Sequence, residues 1–269
     1  MIDETNFEQG MNLEFQDDLP KKDSARRVMN LYYLVDTSGS MSIDGRIESV
    51  NQVMPEVLEL MQGISDSNGD AAEIKVSCLC FSTGVHWMYP QPLSPSDFKW
   101  LPCTAGGLTD LGRACVELEK HMHRDADLGH DRGHFAPAVI LLSDGGPTDD
   151  FDGGISVLEK NAWFKSAIKV AIAIGTDIDN KVLKRFVGPN AGREGVLQVT
   201  DVQQLKQIVQ AVSCAVSRVG SSNGSIGSKT KTEELNKVIS ESIEEINENS
   251  HGEGGSVLDI KPIGEDIFN

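Results

Sequence analysis

Asp36, Ser38 and Ser40 form an Asp-x-Ser-x-Ser pattern at the end of the apolar run Leu31-Tyr-Tyr-Leu-Val35. A buried strand that stops at one carboxylate and two hydroxyls presents three oxygen donors from a single tight turn. Donors that are all oxygen suit a hard divalent cation, Mg²⁺ above all, with Mn²⁺ or Ca²⁺ as alternatives. Two further pieces sit where a shared site would need them. Gly106-Gly-Leu-Thr-Asp-Leu-Gly112 places Thr109 at the start of a helical pattern, and Val139-Ile-Leu-Leu-Ser-Asp144 ends a second apolar run at Asp144. Turn and helix-capping chemistry uses the same residue types. It is the conjunction of all five that favours a cation.

The elements that must position these residues alternate between strand and helix. The runs 28–35, 138–142 and 168–174 are apolar almost throughout, as in central strands covered on both faces. Ile74 to Phe81 reads as a strand with Val85 to Tyr89 as its hairpin partner across Ser82-Thr-Gly84, and Val196 to Val199 as a short strand. Ile43, Ile47, Val50, Met54, Val57, Met61 and Ile64 recur at helical spacing, with Pro55 predicting a kink. Further helices are expected over 109–123, 155–163, 182–186 and 202–219. The pattern predicts an α/β fold: a doubly wound, Rossmann-like, mostly parallel sheet with one antiparallel edge strand and helices on both faces. Ligands of such folds sit beyond the carboxyl ends of the strands, where Asp36 and Asp144 fall.

The chain has 269 residues, room for one domain of about 200 residues plus tails. Residues 1–25 read as an acidic flexible arm, 26–220 as the domain, and 221–269 as a linker, a short amphipathic helix and an acidic tail. That helix, carrying Leu235, Val238, Ile239, Ile243 and Ile246, must dock on its own domain or on a partner to be stable. The net charge of −17 argues against nucleic acid as a partner. No apolar stretch is long enough to span a membrane. The first residues do not read as a secretory signal, and the five cysteines lack any C-x-x-C pair. The expectation is a cytoplasmic protein with reduced, mostly packing thiols.

Other polar clusters read as structural. Thr148, Asp149, Asp150 and Asp152 suit a solvated loop entering the next helix, the alternative being a second cation site or an acidic rim that tunes partner choice. His121, His123, His130 and His134 lie near Asp125, Asp127 and Asp131, but two histidines two residues apart on a helix end point apart, which disfavours zinc. Neither a G-x-S-x-G elbow nor a phosphate-cradling G-x-x-x-x-G-K-[ST] loop occurs. The expectation is a protein that is not an enzyme.

Asp36-Thr-Ser-Gly-Ser40, Thr109 and Asp144, in this order and context, resemble the von Willebrand factor A domain and its metal-ion-dependent adhesion site, over roughly residues 26 to 220. The resemblance implies Ser38, Ser40 and Thr109 as direct metal ligands, Asp36 and Asp144 acting through waters, and one position open to a partner carboxylate. Local strings narrow it. Thr104-Ala-Gly-Gly107, Leu142-Ser-Asp-Gly-Gly-Pro-Thr-Asp149 and the closing Val212-Ser-Cys-Ala-Val-Ser217 are similar to the bacterial tellurium-resistance TerY branch. That branch implies a cytoplasmic adaptor in tellurite, stress or phage-defence systems, with a Ser/Thr kinase and a metal-dependent protein phosphatase as partners. The cysteine-rich zinc module of some relatives has no counterpart, since residues 221–269 contain no cysteine. A subunit of an AAA+ ATPase machine is the alternative reading.

Overall fold

The computed structural model describes residues 27–67, 72–129, 133–189 and 195–221, together with Glu234 and residues 237–241. Its strands are β1 (Arg27–Asp36), β2 (Ala72–Ser82), β3 (Gly84–Trp87), β4 (Ala138–Ser143), β5 (Ile168–Ile174) and β6 (Val196–Val199). They form one six-stranded sheet in the order β3-β2-β1-β4-β5-β6. Every neighbouring pair is parallel except β2 with β3, the antiparallel edge. The helices are α1 (Arg46–Ser67), α2 (Leu111–His121), α3 (Phe151–Leu158), α4 (Ala162–Ser166), α5 (Asn180–Val187) and α6 (Val202–Ser221). This is the doubly wound α/β architecture expected from the apolar central strands.

Burial explains why β1 sits centrally. Alternate side chains leave opposite faces of a strand. Leu31, Tyr33 and Val35 pack into the layer of α1 and α6, while Tyr32 and Leu34 pack into the layer of α2, α3 and α5. One polar side chain of the strand is matched across a helical layer: the Tyr33 hydroxyl lies 2.7 Å from Ser213 Oγ on α6. From β1 the chain builds outward through β2 to the β3 edge, then returns past β1 to lay down β4 on its other side. The β1–β4 junction is therefore the point where strand order reverses, and open sheets place their ligand crevice there.

Three expectations need correction. Ile43 does not belong to the buried stripe of α1: residues 39–45 form a separate 3₁₀ segment, and Ile43 is 49% exposed. The chain leaves the Ser40 turn through Asp44 and Gly45, both at positive φ, so the helical phase starts afresh at Arg46. The helix expected over 155–163 is two helices. Asn161 breaks it, because its Oδ1 accepts from the amides of Trp163 and Phe164 and so starts α4. Thr109 precedes α2 by two residues rather than opening it. By contrast, α1 continues through Pro55 as a single helix.

Of the C-terminal segment, residues 237–241 are described and helical. Ile239 is fully buried in the cluster that contains the α1 and α6 side chains, and Val238 packs against it. For these residues the docking is onto their own domain. The arm 1–25, the linker 222–233 and the tail from 242 on lie outside the described residues. No described helix is long and apolar enough to cross a membrane.

Helices α2 and α3 approach so closely that two glycines become obligatory. A Cβ at Gly154 would lie 2.2 Å from the Gly112 carbonyl oxygen, and one at Gly112 would lie 2.3 Å from that of Asp150. Both obstacles are backbone and move only if the helices separate. Gly154→Ala should therefore cost about 2–3 kcal/mol, read from the urea midpoint at unchanged m-value; a loss below about 0.5 kcal/mol would show that the helices part freely.

Candidate functional site

Asp36 is the last residue of β1 and is fully buried. Its carboxylate is held from two strand ends. Oδ1 accepts from the Ser38 amide at 2.8 Å, and Oδ2 accepts from the Ser143 hydroxyl at 2.6 Å. Ser143 ends β4, and its Oγ in turn accepts from the Gly145 amide at 2.8 Å. Burial pushes the Asp36 carboxyl up to about 6, against the lowering by these hydrogen bonds, and the nearby Asp144 adds to the rise.

Backbone hydrogen bonds then join the loops. The Gly39 amide donates to the Gly107 carbonyl at 3.1 Å, and the Gly106 amide to the Thr37 carbonyl at 2.9 Å. Thr109 is fastened to the loop after β4 from both sides. Its amide donates to Thr148 Oγ1 at 2.8 Å, and its carbonyl accepts from the Thr148 amide at 2.9 Å. Asp110 ties the same loop to the β2–β3 turn: its amide donates to the Ser82 carbonyl, and its Oδ2 accepts from the Gly84 amide. The three sequence pieces thus meet at the carboxyl edge of the sheet, with Ser38, Thr109 and Asp144 each nearly buried.

The donor set fits a small hard cation. Ser38 Oγ and Ser40 Oγ lie 3.0 Å apart. The two hydroxyls hydrogen-bond to each other, and their spacing is also compatible with adjacent ligands of one small cation, which lie about 2.9 Å apart at 2.0–2.1 Å metal–oxygen bonds. Both carboxylates, in contrast, are already engaged within the fold.

The acidic residues after Asp144 are structural. Asp149 accepts from the amides of Gly112 and Arg113 at 2.9 and 2.8 Å, so its carboxylate closes the N-terminus of α2. Asp150 caps α3 through the Gly153 amide, and Asp152 lies in that helix's first turn. The histidines diverge as their spacing suggests. His121 pairs with Asp127 at 3.1 Å, and His123 with Glu119 at 2.8 Å. His130 and Asp131 lie outside the described residues. Among the described residues no group of three or more His, Cys, Asp or Glu is arranged to hold a metal.

One residue escaped the sequence reading. Arg46, the first residue of α1, is buried and its Nη1 lies 3.3 Å from Asp144 Oδ2. The guanidinium lies against Gly175, at the end of β5, where a Cβ would be 2.5 Å from Arg46 Cζ. Arg46 gives Asp144 a counter-charge inside the fold. Its sequence signal was slight: an arginine beside the first apolar residue of an amphipathic helix.

Two measurements probe this arrangement. A carboxyl whose folded pKa is raised stabilises nothing when ionised: its contribution is intact below the unfolded pKa and is lost as pH rises through the folded value. In chelator, Asp36→Asn should gain on the wild type by about 2.4 kcal/mol between pH 4 and pH 7, measured by urea denaturation at each pH. A difference that stays flat with pH would mean the carboxylate is solvated. Arg46→Met should cost about 3–5 kcal/mol by leaving Asp144 unpaired, with much of the loss recovered in Arg46→Met/Asp144→Asn. No recovery would assign the loss to packing alone.

No protein-family model matches the sequence, and no curated protein matches it. Among solved structures the chain is similar to the von Willebrand factor type A protein from Catenulispora acidiphila, at 16% identity and a TM-score of 0.52, over 71% of this chain and 43% of that one. It is also similar to proximal thread matrix protein 1 from the mussel byssus, at 16% identity and a TM-score of 0.54, over 70% and 49% of the two chains. That mussel protein is also known with a zinc-occupied MIDAS motif, a structure 17% identical with a TM-score of 0.53 over 70% and 48%. The matched region is less than half the length of each of these proteins. With sheet order, edge strand and helical layers all in agreement, this chain has the fold of a von Willebrand factor A domain.

Proposed function

We propose that the chain is a non-catalytic, divalent-cation-dependent protein-binding module. Ser38, Ser40 and Thr109 supply the direct ligands, and Asp36 and Asp144 act from behind through water. The observation that carries this is the Ser38–Ser40 hydroxyl pair, 3.0 Å apart at the β1–β4 crevice. A bound Mg²⁺, or Mn²⁺ or Ca²⁺ in its place, would supply positive charge and a ligand position exchangeable for a partner's Asp or Glu carboxylate. Asp36 suits the outer role, since both its oxygens already accept hydrogen bonds and hold the Ser38 turn in place. The engaged carboxylates also support the non-catalytic reading. Asp144 is paired with Arg46 and Asp36 is buried on two donors, so neither is placed as a free base beside a metal-bound water.

The setting we propose is cytoplasmic and bacterial, in a tellurite, stress or phage-defence system of the TerY type. There the partner would be a Ser/Thr kinase or a metal-dependent protein phosphatase rather than nucleic acid or membrane. The strings around Thr104–Gly107 and Leu142–Asp149 support it. Immobilised full-length chain should retain a protein from native lysate with Mg²⁺ but not with EDTA, and Asp36→Ala should lose it while remaining folded by circular dichroism. Retention under every condition would place the binding surface elsewhere. A retained ATPase whose turnover changes with the chain present would favour the machine-subunit alternative.

A further inference from the structure

Two thiols that the site does not use face each other beneath it. Cys80 and Cys103 have their sulfurs 3.6 Å apart, and the Cys103 thiol also lies 3.8 Å from the Leu101 carbonyl. Their settings differ. Cys80 is fully buried in β2 and paired in register with Val35 on one side and His86 on the other, so its backbone is fixed. Cys103 is partly exposed, lies outside regular structure, and belongs to the segment that leads to Thr109. That segment is pinned to α1 by one side chain. Asn51 Oδ1 accepts from the Cys103 amide at 2.7 Å and from Trp100 Nε1 at 3.0 Å, and its Nδ2 donates to the Cys103 carbonyl at 2.8 Å.

We infer that Cys80 and Cys103 are an oxidisable dithiol, which closes into an intramolecular disulfide under a hydroperoxide and shifts the loop that carries Thr109. The chemistry balances in two steps. Cys103, the thiol that solvent reaches, is oxidised to a sulfenic acid as the peroxide O–O bond breaks and an alcohol or water leaves. The Cys80 sulfur then attacks the sulfenic sulfur, the S–S bond forms, and water departs with the thiol proton. The two sulfurs give up two electrons in all, and the hydroperoxide takes them.

A disulfide needs its sulfurs about 2.05 Å apart, so the pair must close by about 1.5 Å. Strand pairing holds Cys80, so the movement falls on the Cys103 side chain and, against its two hydrogen bonds to Asn51, on the residues between it and Thr109. The Cys103 thiol lowers the pKa of Cys80, but the Cys78 thiol and burial outweigh it and hold Cys80 well above an ordinary thiol pKa. The Cys80 thiol and burial do the same for Cys103, so the pair is protonated and reacts slowly. It answers sustained oxidation rather than a brief pulse. The link to Thr109 rests on the cation reading above; the disulfide itself does not.

The test uses the full chain with and without tert-butyl hydroperoxide. Trypsin separates Cys103, in residues 100–113, from Cys78 and Cys80, which share residues 76–99. Without reductant the oxidised chain should yield these two peptides joined, two hydrogens lighter than their sum. The link should persist in Cys78→Ser and vanish in Cys103→Ser and Cys80→Ala. In Cys80→Ala, dimedone should mark Cys103. Mg²⁺ titration by calorimetry should show severalfold weaker binding after oxidation of the wild type and no change in Cys103→Ser. A missing joined peptide, or one that survives Cys80→Ala, overturns the pair. A joined peptide with unchanged Mg²⁺ affinity overturns its hold on Thr109. Failure of the reduced chain to bind Mg²⁺ overturns the cation reading and that hold together, while the peptide map still decides the disulfide.

Discussion

The Asp36 carboxylate, buried where β1 meets β4, is the constraint on which the rest of this structure turns. A carboxylate removed from water is costly unless its oxygens are matched with donors. Here the donors come from different parts of the chain: the Ser38 amide in the turn it leads into, and the Ser143 hydroxyl at the end of the neighbouring strand. Satisfying one carboxylate therefore fixes the Ser38 turn and registers the ends of two central strands. Ser143 passes the constraint on, because its oxygen also receives the Gly145 amide and so sets the path after Asp144.

From that junction the neighbouring loops are fastened by backbone groups. Gly39 to Gly107, Gly106 to Thr37, and the double link between Thr109 and Thr148 fasten the loops around the facing hydroxyls of Ser38 and Ser40. Buried backbone groups must find partners, and here they do so across loops. The charged side chains of the third loop are spent on capping: Asp149 on α2 and Asp150 on α3. The close α2–α3 packing at Gly112 and Gly154 keeps the Asp149 cap within reach of α2.

This division of labour explains what could be read from the sequence. Central strands buried on both faces show as unbroken apolar runs, so β1, β4 and β5 were legible, and with them the positions of Asp36 and Asp144 at strand ends. The hydroxyl residues were legible because their spacing is local. What was not legible depends on meetings between distant segments. Arg46 is one charged residue on an amphipathic helix until Asp144, 98 positions away, is placed beside it. Asp149 looks like solvated acidity until the N-terminus of α2 arrives above it. Cys80 and Cys103 show no motif spacing, and only the fold brings their sulfurs together. Ile43 failed for the opposite reason: its helical spacing was a coincidence of count, broken by two consecutive positive φ angles at Asp44 and Gly45.

In the proposed reading, the same economy sets how the site must behave. Neutral hydroxyls as direct ligands leave the cation's charge largely intact, and the buried carboxylates act at one remove. The chain alone then offers modest affinity, and a partner carboxylate supplies the missing negative charge. Cation and partner must strengthen each other's binding by the same factor, because the coupling free energy is reciprocal. Arg46 works against the cation at this point, since its guanidinium already answers the charge of Asp144. A chain with a net charge of −17 attracts divalent cations over its whole surface, so specificity must come from the geometry of the hydroxyl pair. The turn that carries this pair is tied to the loop from Cys103 to Thr109 by Gly39 to Gly107 and by Gly106 to Thr37, and it is through these links that a bond made at Cys103 would reach the site.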